Sequence, residues 1–337
     1  MVKKVSIKEV AKKAGLSVAT ISYVLNGTGK TKRITEKTIK KAQDAIDELG
    51  YIPNVSAINL RSGKTRTIAV VIPDLSSYFF AMILKGIESY ASKENYKVIV
   101  YQSAECVERE KEIFGELIHT TAEGVLFSAS IGNKNQCNHV EFLNKLMPVI
   151  SFDRVLEGLD VPQVVSDDYK AGYKAGHYLL TKGCKRILFL GVNTTVSVFK
   201  LRYEGFKKAI EELGNEKVQV TELMCNCDEE SELIIKNEMK VPFEYDGVFS
   251  CNERYTIQLL QKMVSINGNV TDNSIPIVSF YNYPDVELLT PKIKSIRQQP
   301  FQIGEKACSM LIDKLQQKES IVEERNEPII IPCGYDF

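Results

Sequence analysis

The sequence predicts a small all-α head followed by a larger α/β core that contains two parallel sheets. Apolar residues recur at helical spacing over residues 7–49, and from residue 67 onward short apolar strands alternate with amphipathic helices. This strand–helix series occurs twice, which favours two similar α/β subdomains. With 337 residues, of which 44% are hydrophobic, the chain is long enough for more than one buried core.

Three helices are predicted in the head. The first covers residues 7–14. The second begins after the N-cap residue Ser17 and extends to about Asn26. The third is capped by Thr35 and ends at Gly50. Two helices joined across a short Gly turn and braced by a third match the helix-turn-helix plan.

The core strands fall into two series. The predicted strands are 67–72, 97–101, 124–128 and 149–152 in the first series, and 186–190, 218–221, 247–250 and 277–280 in the second. Apolar strands that alternate with helices are typical of doubly wound parallel sheets. We assign 67–165 plus 297–325 to the first subdomain and 166–296 plus 326–337 to the second. Ligands bind beyond the carboxyl ends of such strands, which predicts a cleft between the two sheets.

A formal net charge of zero conceals an asymmetry along the chain. Residues 1–66 contain 14 Lys and Arg against five Asp and Glu, a balance of +9, while the other 271 residues contain 29 against 38, a balance of −9. A basic head is attracted to the phosphate backbone of nucleic acid, and an acidic body limits non-specific binding. A solubility or localisation tail is the alternative, but the caps and apolar spacing of the head argue against it.

Several other classes of protein are disfavoured. No segment approaches the ~18 apolar residues of a membrane helix, and the N-terminus lacks a signal segment, so we expect a cytoplasmic, nucleoid-associated protein without a membrane partner. The eight cysteines are scattered except for Cys225 and Cys227, whose spacing is poor for zinc. No nucleophile elbow, P-loop or dinucleotide fingerprint occurs. We therefore expect no enzyme activity, cofactor or metal.

Motifs along the whole chain match a known pattern in order. They are Ser6–Ala11, Ala14–Ser22, Val24–Gly27, Tyr51–Asn54 with Ala57 and Leu60, Phe152–Arg154, Asp167–Gly172, Arg202–Phe206, Gly247–Glu253 and Thr290–Pro300. These motifs resemble the lactose-repressor family of bacterial transcription regulators. The resemblance implies a helix-turn-helix domain over 1–50, a hinge helix and linker over 51–66, and a core over 67–337 of periplasmic-binding-protein type.

The resemblance also implies partners. Members of the family are homodimers that bind palindromic operator DNA, most often as repressors. A small effector bound between the core subdomains alters how the paired hinge helices sit on DNA. Whether the effector releases or strengthens DNA binding is left open, because the sign depends on which state of the cleft the ligand prefers.

The second helix is expected to enter the major groove. Val18, Ala19 and Tyr23 would then face base edges. Tyr23 stands where the family commonly has Arg, which predicts a different half-site. The full predicted DNA-binding set is Ser6, Ser17, Val18, Ala19, Thr20, Ser22, Tyr23, Asn26, Arg33, Thr35, Thr38, Asn54, Ala57 and Leu60. For Ser17 and Thr35 the alternative is a capping role alone, and for Val18 and Ala19 it is an ordinary surface position.

Leu60 is expected to act in the hinge. A leucine on so short a segment has little to bury within one subunit, and two such leucines paired across a dimer are suited to wedge into the minor groove. Ala57 and Asn54 would lie beside it. The alternative is packing of the linker against the core.

The effector pocket is predicted from the loops that follow the strands. Its predicted residues are Asp74, Ser76, Ser77, Phe79, Phe80, Asp153, Arg154, Arg202, Asn252, Glu253 and Tyr281. Arg202 aligns with the arginine that anchors effectors in the family. An inter-strand salt bridge is the alternative for Asp153 and Arg154, and one of Phe79 and Phe80 is expected in the core.

The nature of the effector is left open between classes. Tyr281 replaces an aspartate that often grips sugar hydroxyls in the family, and Glu253 stands where Asp is usual. A sugar or sugar phosphate is the leading expectation. A protein co-regulator or a non-sugar ligand is the alternative within the same fold. A solute-binding receptor without DNA function is the alternative of another class, but it does not explain the basic head.

Overall fold

The computed structural model describes residues 5–51, 64–130, 138–194, 196–225, 235, 244–267, 275–280, 282–283, 293–316 and 327–337. The chain forms two compact units, Met1–Thr65 and Arg66–Phe337.

The first unit is a three-helix head. Its helices are α1 (Ile7–Ala14), α2 (Val18–Leu25) and α3 (Glu36–Glu48). A capping box between Ser6 and Glu9 begins α1, and Gly15 ends it in the left-handed conformation with φ 56°. The apolar stripes meet in one small core that includes Val10, Ile21 and Ile46. The three predicted helices are therefore present.

Among the described residues, the strands of the first sheet of the second unit are β1 (Thr67–Ile72), β2 (Lys97–Gln102), β3 (Gly124–Phe127), β4 (Val149–Phe152), β5 (Gln163–Ser166) and β11 (Ile329–Ile331). These six strands lie in the order β11–β5–β4–β3–β1–β2, and all are parallel. Helices α4 (Tyr78–Lys93) and α10 (Pro300–Leu315) pack on one face, and α5 (Val107–Leu117) and α6 (Asn138–Asn144) pack on the other. Since both faces are covered, the central strands are fully buried.

The second sheet repeats this plan with β6 (Arg186–Val192), β7 (Gln219–Cys225), β8 (Gly247–Ser250), β9 (Ile277–Phe280), β10 (Ile293–Arg297) and β12 (Gly334–Tyr335). Its strand order is β12–β10–β9–β8–β6–β7. Helices α7 (Asp168–Thr181) and α8 (Ser197–Leu213) cover one face, and α9 (Glu253–Asn267) covers the other. Only β12 runs antiparallel to its neighbour among the described pairs.

The strand Ile329–Ile331 corrects one subdomain boundary. Residues 326–337 were predicted in the second subdomain, but β11 pairs with β5 in the first sheet, and only β12 joins the second. This pairing was not predicted because β11 is a three-residue, half-exposed edge strand, which is too short to give a clear pattern in the sequence. The chain therefore passes between the sheets three times, after β5, after β10 and after β11.

Paired glycines bring one pair of helices into close contact in each subdomain. A Cβ atom added to Gly86 in α4 or Gly304 in α10 would lie 2.1 Å from a carbonyl oxygen of the facing helix. At Gly172 in α7 and Gly205 in α8 the corresponding distances are 2.0 and 1.9 Å. The two backbones of each pair touch only because neither glycine carries a side chain.

The described residues contain neither a membrane-spanning helix nor a cluster of side chains suited to a metal ion. None of the described helices is long and apolar enough to cross a membrane. No group of three or more His, Cys, Asp or Glu side chains in the described ranges is arranged to hold a metal ion.

Candidate DNA-binding and effector sites

In the head, helix α2 has one buried face and one open face. Ile21 is buried, whereas the side chains of Val18 and Tyr23 are 37% and 39% exposed and Ala19 is also exposed. The three side chains expected to face base edges thus share the open surface of one helix.

The predicted hydroxyl residues at the helix starts act as caps. The Ser17 side chain accepts a hydrogen bond from the Thr20 amide at 3.0 Å, and Thr35 accepts one from the Thr38 amide at 3.3 Å. The two hydroxyls of each pair also bond to each other, at 2.8 and 2.9 Å. The capping role is therefore real for Ser17 and Thr35, as it is for Ser6. Their contact with phosphate stays a prediction that is compatible with it, because they remain exposed.

The loop after α2 folds back along that helix. The amide and hydroxyl of Thr28 both donate to the carbonyl of Tyr23, at 3.0 and 3.2 Å. This turn places the ammonium of Lys32 5.6 Å from the centre of the Tyr23 ring. Arg33 follows in the left-handed conformation with φ 56° and is exposed. Lys32 is a basic neighbour of the open α2 face that sequence spacing did not predict.

Two further predicted residues of the head lie side by side. The side-chain amide nitrogen of Asn26 is 3.5 Å from the hydroxyl of Ser22, one helical turn earlier. Asn26 is exposed and Ser22 is half-buried. The predicted residues Asn54, Ala57 and Leu60 of the hinge, and Tyr281 of the pocket, lie outside the described residues.

In the second unit, a cavity of about 510 Å³ lies at the carboxyl ends of strands from both sheets. It is lined by Asp74, Ser77, Phe79, Phe80, Glu105, Ser130, Asp153, Arg154, Val192, Thr194, Val196, Val198, Phe199, Arg202, Asn252, Glu253, Tyr255 and Gln298. The loops after β1 to β4 contribute from one side, and those after β6, β8 and β10 from the other. The cavity therefore occupies the place where open α/β sheets bind ligands.

Arg202 is held rigidly at one side of this cavity. Its Nε donates to Asp168 at 2.7 Å, and its Nη1 donates to the carbonyl of Cys251 at 2.7 Å. The guanidinium lies 3.6 Å from the centre of the Phe280 ring, close enough for a cation–π interaction. Burial raises the pKa of Asp168, and the charge of Arg202 opposes that rise.

Arg154 has a different main partner from the one predicted. Its two terminal nitrogens donate to both carboxylate oxygens of Glu105, at 2.8 and 2.6 Å, and Nη1 also donates to the carbonyl of Ala129. The distance from its Nε to the Asp153 carboxylate is 3.8 Å. The proposed Asp153–Arg154 bridge is thus secondary to a bidentate pair with Glu105, a residue that sequence reasoning missed.

Asp153 is a buried carboxyl in an unusual backbone conformation. Its φ of 70° is in the left-handed region, and the residue is only 5% exposed. Burial raises the pKa of Asp153 to about 7, and Arg154 opposes that rise. The carboxyl therefore changes charge near neutral pH.

The raised pKa of Asp153 predicts a pH-dependent cost to stability. Because the folded-state pKa lies above the unfolded value, the native chain binds the proton more tightly. The contribution of this tighter proton binding to the free energy of unfolding is fully present below about pH 4 and is lost as pH rises to about 7. We expect Asp153→Asn to remove this loss, so that the variant gains up to about 4 kcal/mol over the wild type at pH 8 but little at pH 4.5. Urea unfolding at both pH values measures the difference.

Asp160→Asn, at an exposed position of the same segment, is the matched control for that experiment. It should shift the unfolding free energy equally little at both pH values. If the free energies of unfolding of Asp153→Asn and the wild type differed by the same amount at pH 4.5 and pH 8, the raised pKa of Asp153 would be contradicted.

Ser76 is the one described residue of the predicted pocket that the structure places outside the cavity lining. The amide and the hydroxyl of Ser76 both donate to the Asp74 carboxylate at 2.8 Å. Ser76 is exposed and does not line the cavity, whereas Ser77 and Asp74 do. Ser76 is therefore a support for Asp74, since its hydroxyl is turned back onto the loop.

The two phenylalanines of α4 serve both the core and the cavity. Phe79 and Phe80 are 8% and 6% exposed and pack edge to face, with ring centres 5.4 Å apart. Both belong to the core of the first subdomain, and both line the cavity. The expectation that only one would be a core residue is wrong.

The loop after β8 is ordered by its own hydrogen bonds. The side-chain oxygen of Asn252 accepts a hydrogen bond from the backbone amide of Arg254 at 2.7 Å. The backbone carbonyl of Asn252 accepts from the hydroxyls of Ser250 and Thr256. Glu253 follows at the start of α9. Burial raises the pKa of Glu253, and the charge of Arg202 opposes that rise.

The lining residues that sequence reasoning missed mostly follow strands. They are Glu105, Ser130, Val192, Thr194, Val196, Val198, Phe199, Tyr255 and Gln298. Gln298 donates to the hydroxyl of Ser166 at 3.0 Å, which links two of the segments that connect the sheets. The strand-end rule, applied to β2, β3, β6 and β10 as well, would have found several of them.

Comparisons with known proteins agree with this architecture. Residues 65–336 match the family described as periplasmic binding proteins and sugar binding domain of LacI family, and residues 6–54 match the bacterial regulatory proteins, lacI family. The chain belongs to the LacI family of bacterial transcription regulators. It is thus a DNA-binding transcription regulator, and its relatives are regulators rather than enzymes.

Individual relatives match over nearly the full length. The transcriptional regulator RegA of Clostridium saccharobutylicum is 31% identical, with 93% of each chain covered. The regulator DegA of Bacillus subtilis (strain 168) is 29% identical over 89% of this chain and 88% of its own. The lac repressor dimer bound to operator and the anti-inducer ONPF has the same fold, with a TM-score of 0.84 at 19% identity and with 99% of this chain and 98% of that one covered.

Proposed function

We propose that the protein is a cytoplasmic repressor whose operator affinity is controlled by a small polar ligand, a sugar or sugar phosphate, bound in the cavity of the core. The observation that carries the proposal is the cavity itself. It unites strand ends of both sheets with buried arginines and carboxylates, in a chain whose head exposes a recognition helix. An aromatic wall with a few fixed polar groups is typical of a small-molecule site.

Regulators of the LacI family bind operator DNA as dimers and respond to small effectors. For this chain we propose a homodimer on a palindromic operator, in which Val18, Ala19 and Tyr23 read the bases. We propose that Leu60, flanked by Ala57 and Asn54, wedges into the minor groove. Ser6, Ser17, Thr20, Ser22, Asn26, Arg33, Thr35 and Thr38 would bind phosphates or bases from the same head.

Selection of operator sequences from a random DNA pool, with and without candidate sugars, tests the proposal. A single palindromic motif whose affinity shifts with one sugar would support it. A motif that no sugar affects, together with no sugar binding in calorimetry, would favour the alternative of a protein co-regulator. A failure to select any motif would contradict the function itself.

Ionic strength gives a separate prediction. The 66 residues of the head contain 14 Lys and Arg, so binding to DNA should release many counterions. If about 6–10 phosphates are neutralised, the affinity for operator should fall by roughly 10³–10⁵ between about 50 and 200 mM salt. Titration of labelled operator at several salt concentrations measures the slope. A solute receptor without DNA function would show no such binding.

A further inference from the structure

Both arginines of the cavity are already paired with carboxylates of the protein. Arg202 donates to Asp168 at 2.7 Å, and Arg154 holds Glu105 through two hydrogen bonds of 2.8 and 2.6 Å. Bidentate and buried charge-assisted bonds of this kind are strong and directional. Neither guanidinium is therefore left uncompensated for a charged ligand.

The described lining of the cavity has more acids than bases. Besides Glu105, it contains Asp74, Asp153 and Glu253, whereas its bases are Arg154 and Arg202 alone. Asp168, bonded to Arg202, adds a further carboxylate beside the lining. The described part of the lining therefore presents more acidic than basic groups to a ligand.

We infer that the effector of this cavity is an uncharged, hydroxyl-rich small molecule and that phosphorylated or carboxylated compounds are rejected. This inference rests on the proposed function and narrows its ligand class. Hydroxyl groups can hydrogen-bond to Asp74, Asp153 and Glu253 whether these carboxyl groups are ionised or protonated, because both forms keep an accepting oxygen. Phe79 and Phe80 offer an apolar wall for the face of such a molecule. A phosphate group would bring a charge of about −1.5 to −2 close to the same acidic side chains, and the repulsion between like charges would weaken its binding.

The surroundings of Asp153 bear on the same inference. Burial is the largest cause of the raised pKa of this carboxyl, and the acids Asp168 and Glu105 add to the rise, whereas Arg154 and Arg202 oppose it. A ligand anion buried beside Asp153 would likewise lose its hydration and would meet the same two acids.

Calorimetry with matched pairs of compounds tests the inference. D-ribose is compared with D-ribose 5-phosphate, D-glucose with D-glucose 6-phosphate, and cellobiose is added as a larger uncharged probe. We expect an uncharged compound to bind and its phosphate to bind at least roughly 100-fold more weakly. A phosphate that binds as tightly as its uncharged partner overturns the inference while leaving a ligand-controlled regulator in place. No binding by any compound contradicts the proposed sugar effector and the inference with it.

Charge-removing variants locate the effect. Glu253→Gln and Asp74→Asn keep the size of the side chain and the ability to accept hydrogen bonds. We expect each to reduce the discrimination against the phosphate about tenfold. Glu116→Gln, at an exposed position of α5 outside the cavity, is the control and should leave the discrimination unchanged. Equal discrimination in all variants would overturn the role of the carboxylates.

Discussion

Replacing Arg202 with alanine is expected to destabilise the core by about 3–5 kcal/mol and to abolish the response to effector. The loss leaves Asp168 buried without its cation, and it also removes the hydrogen bond to the Cys251 carbonyl. The guanidinium packed on Phe280 disappears as well, which opens space beside the cavity. Chemical unfolding of the core measures the first effect, and calorimetry with the compound that binds the wild type measures the second.

Two further variants distinguish the causes of that loss. Arg202→Ala combined with Asp168→Asn removes both charges, so much of the stability should return while effector binding stays lost. Lys200→Ala, on the same helix, breaks only an exposed pair with Glu204 and should change stability by less than about 1 kcal/mol. If the double variant were as unstable as Arg202→Ala, the buried-charge explanation would be wrong.

Adding one methyl group at Gly205 should be nearly as damaging. The new Cβ would lie 1.9 Å from the carbonyl oxygen of Tyr169, in the backbone of the facing helix, which no side-chain rotation can relieve. Helices α7 and α8 would have to separate, and Phe206 and Ala175 would lose packing in the same core. We expect Gly205→Ala to cost about 3 kcal/mol or more, measured by urea unfolding.

Gly115→Ala is the matched control for this prediction. Gly115 also lies within a helix, but it is exposed, and an added Cβ would meet no atom within 4 Å. Since alanine is the better helix former, this change should stabilise by up to about 1 kcal/mol. The same substitution therefore has opposite signs at two helical glycines. A destabilisation of similar size at both positions would show that helix contact is not the cause.

The elements with strong periodicity were predictable from sequence. Three apolar stripes, which include Val10, Ile21 and Ile46 respectively, indicate the three helices of the head. Continuous apolar runs, such as Thr67–Ile72 in the first sheet, indicate the central strands. These signals are local, because each is formed by residues close together in the chain. The cavity position followed from the same strands through the strand-end rule.

The remaining features depend on contacts between distant residues. Glu105 reaches Arg154 across 49 residues, and nothing in either neighbourhood marks the pair. Lys32 comes to Tyr23 only because Thr28 turns the loop back onto α2. Ile329–Ile331 was placed in the wrong subdomain because partner choice for an edge strand is a tertiary property.

The pairing of β11 with β5 also orders events during synthesis. The hydrophobic core of the head is formed by residues between Val5 and Tyr51, all of which leave the ribosome early in synthesis. The first sheet of the core, in contrast, lacks one edge until residue 331 has emerged, although its other five strands are made before residue 167. All residues of the core of the head are thus synthesised well before the last strand of the first sheet.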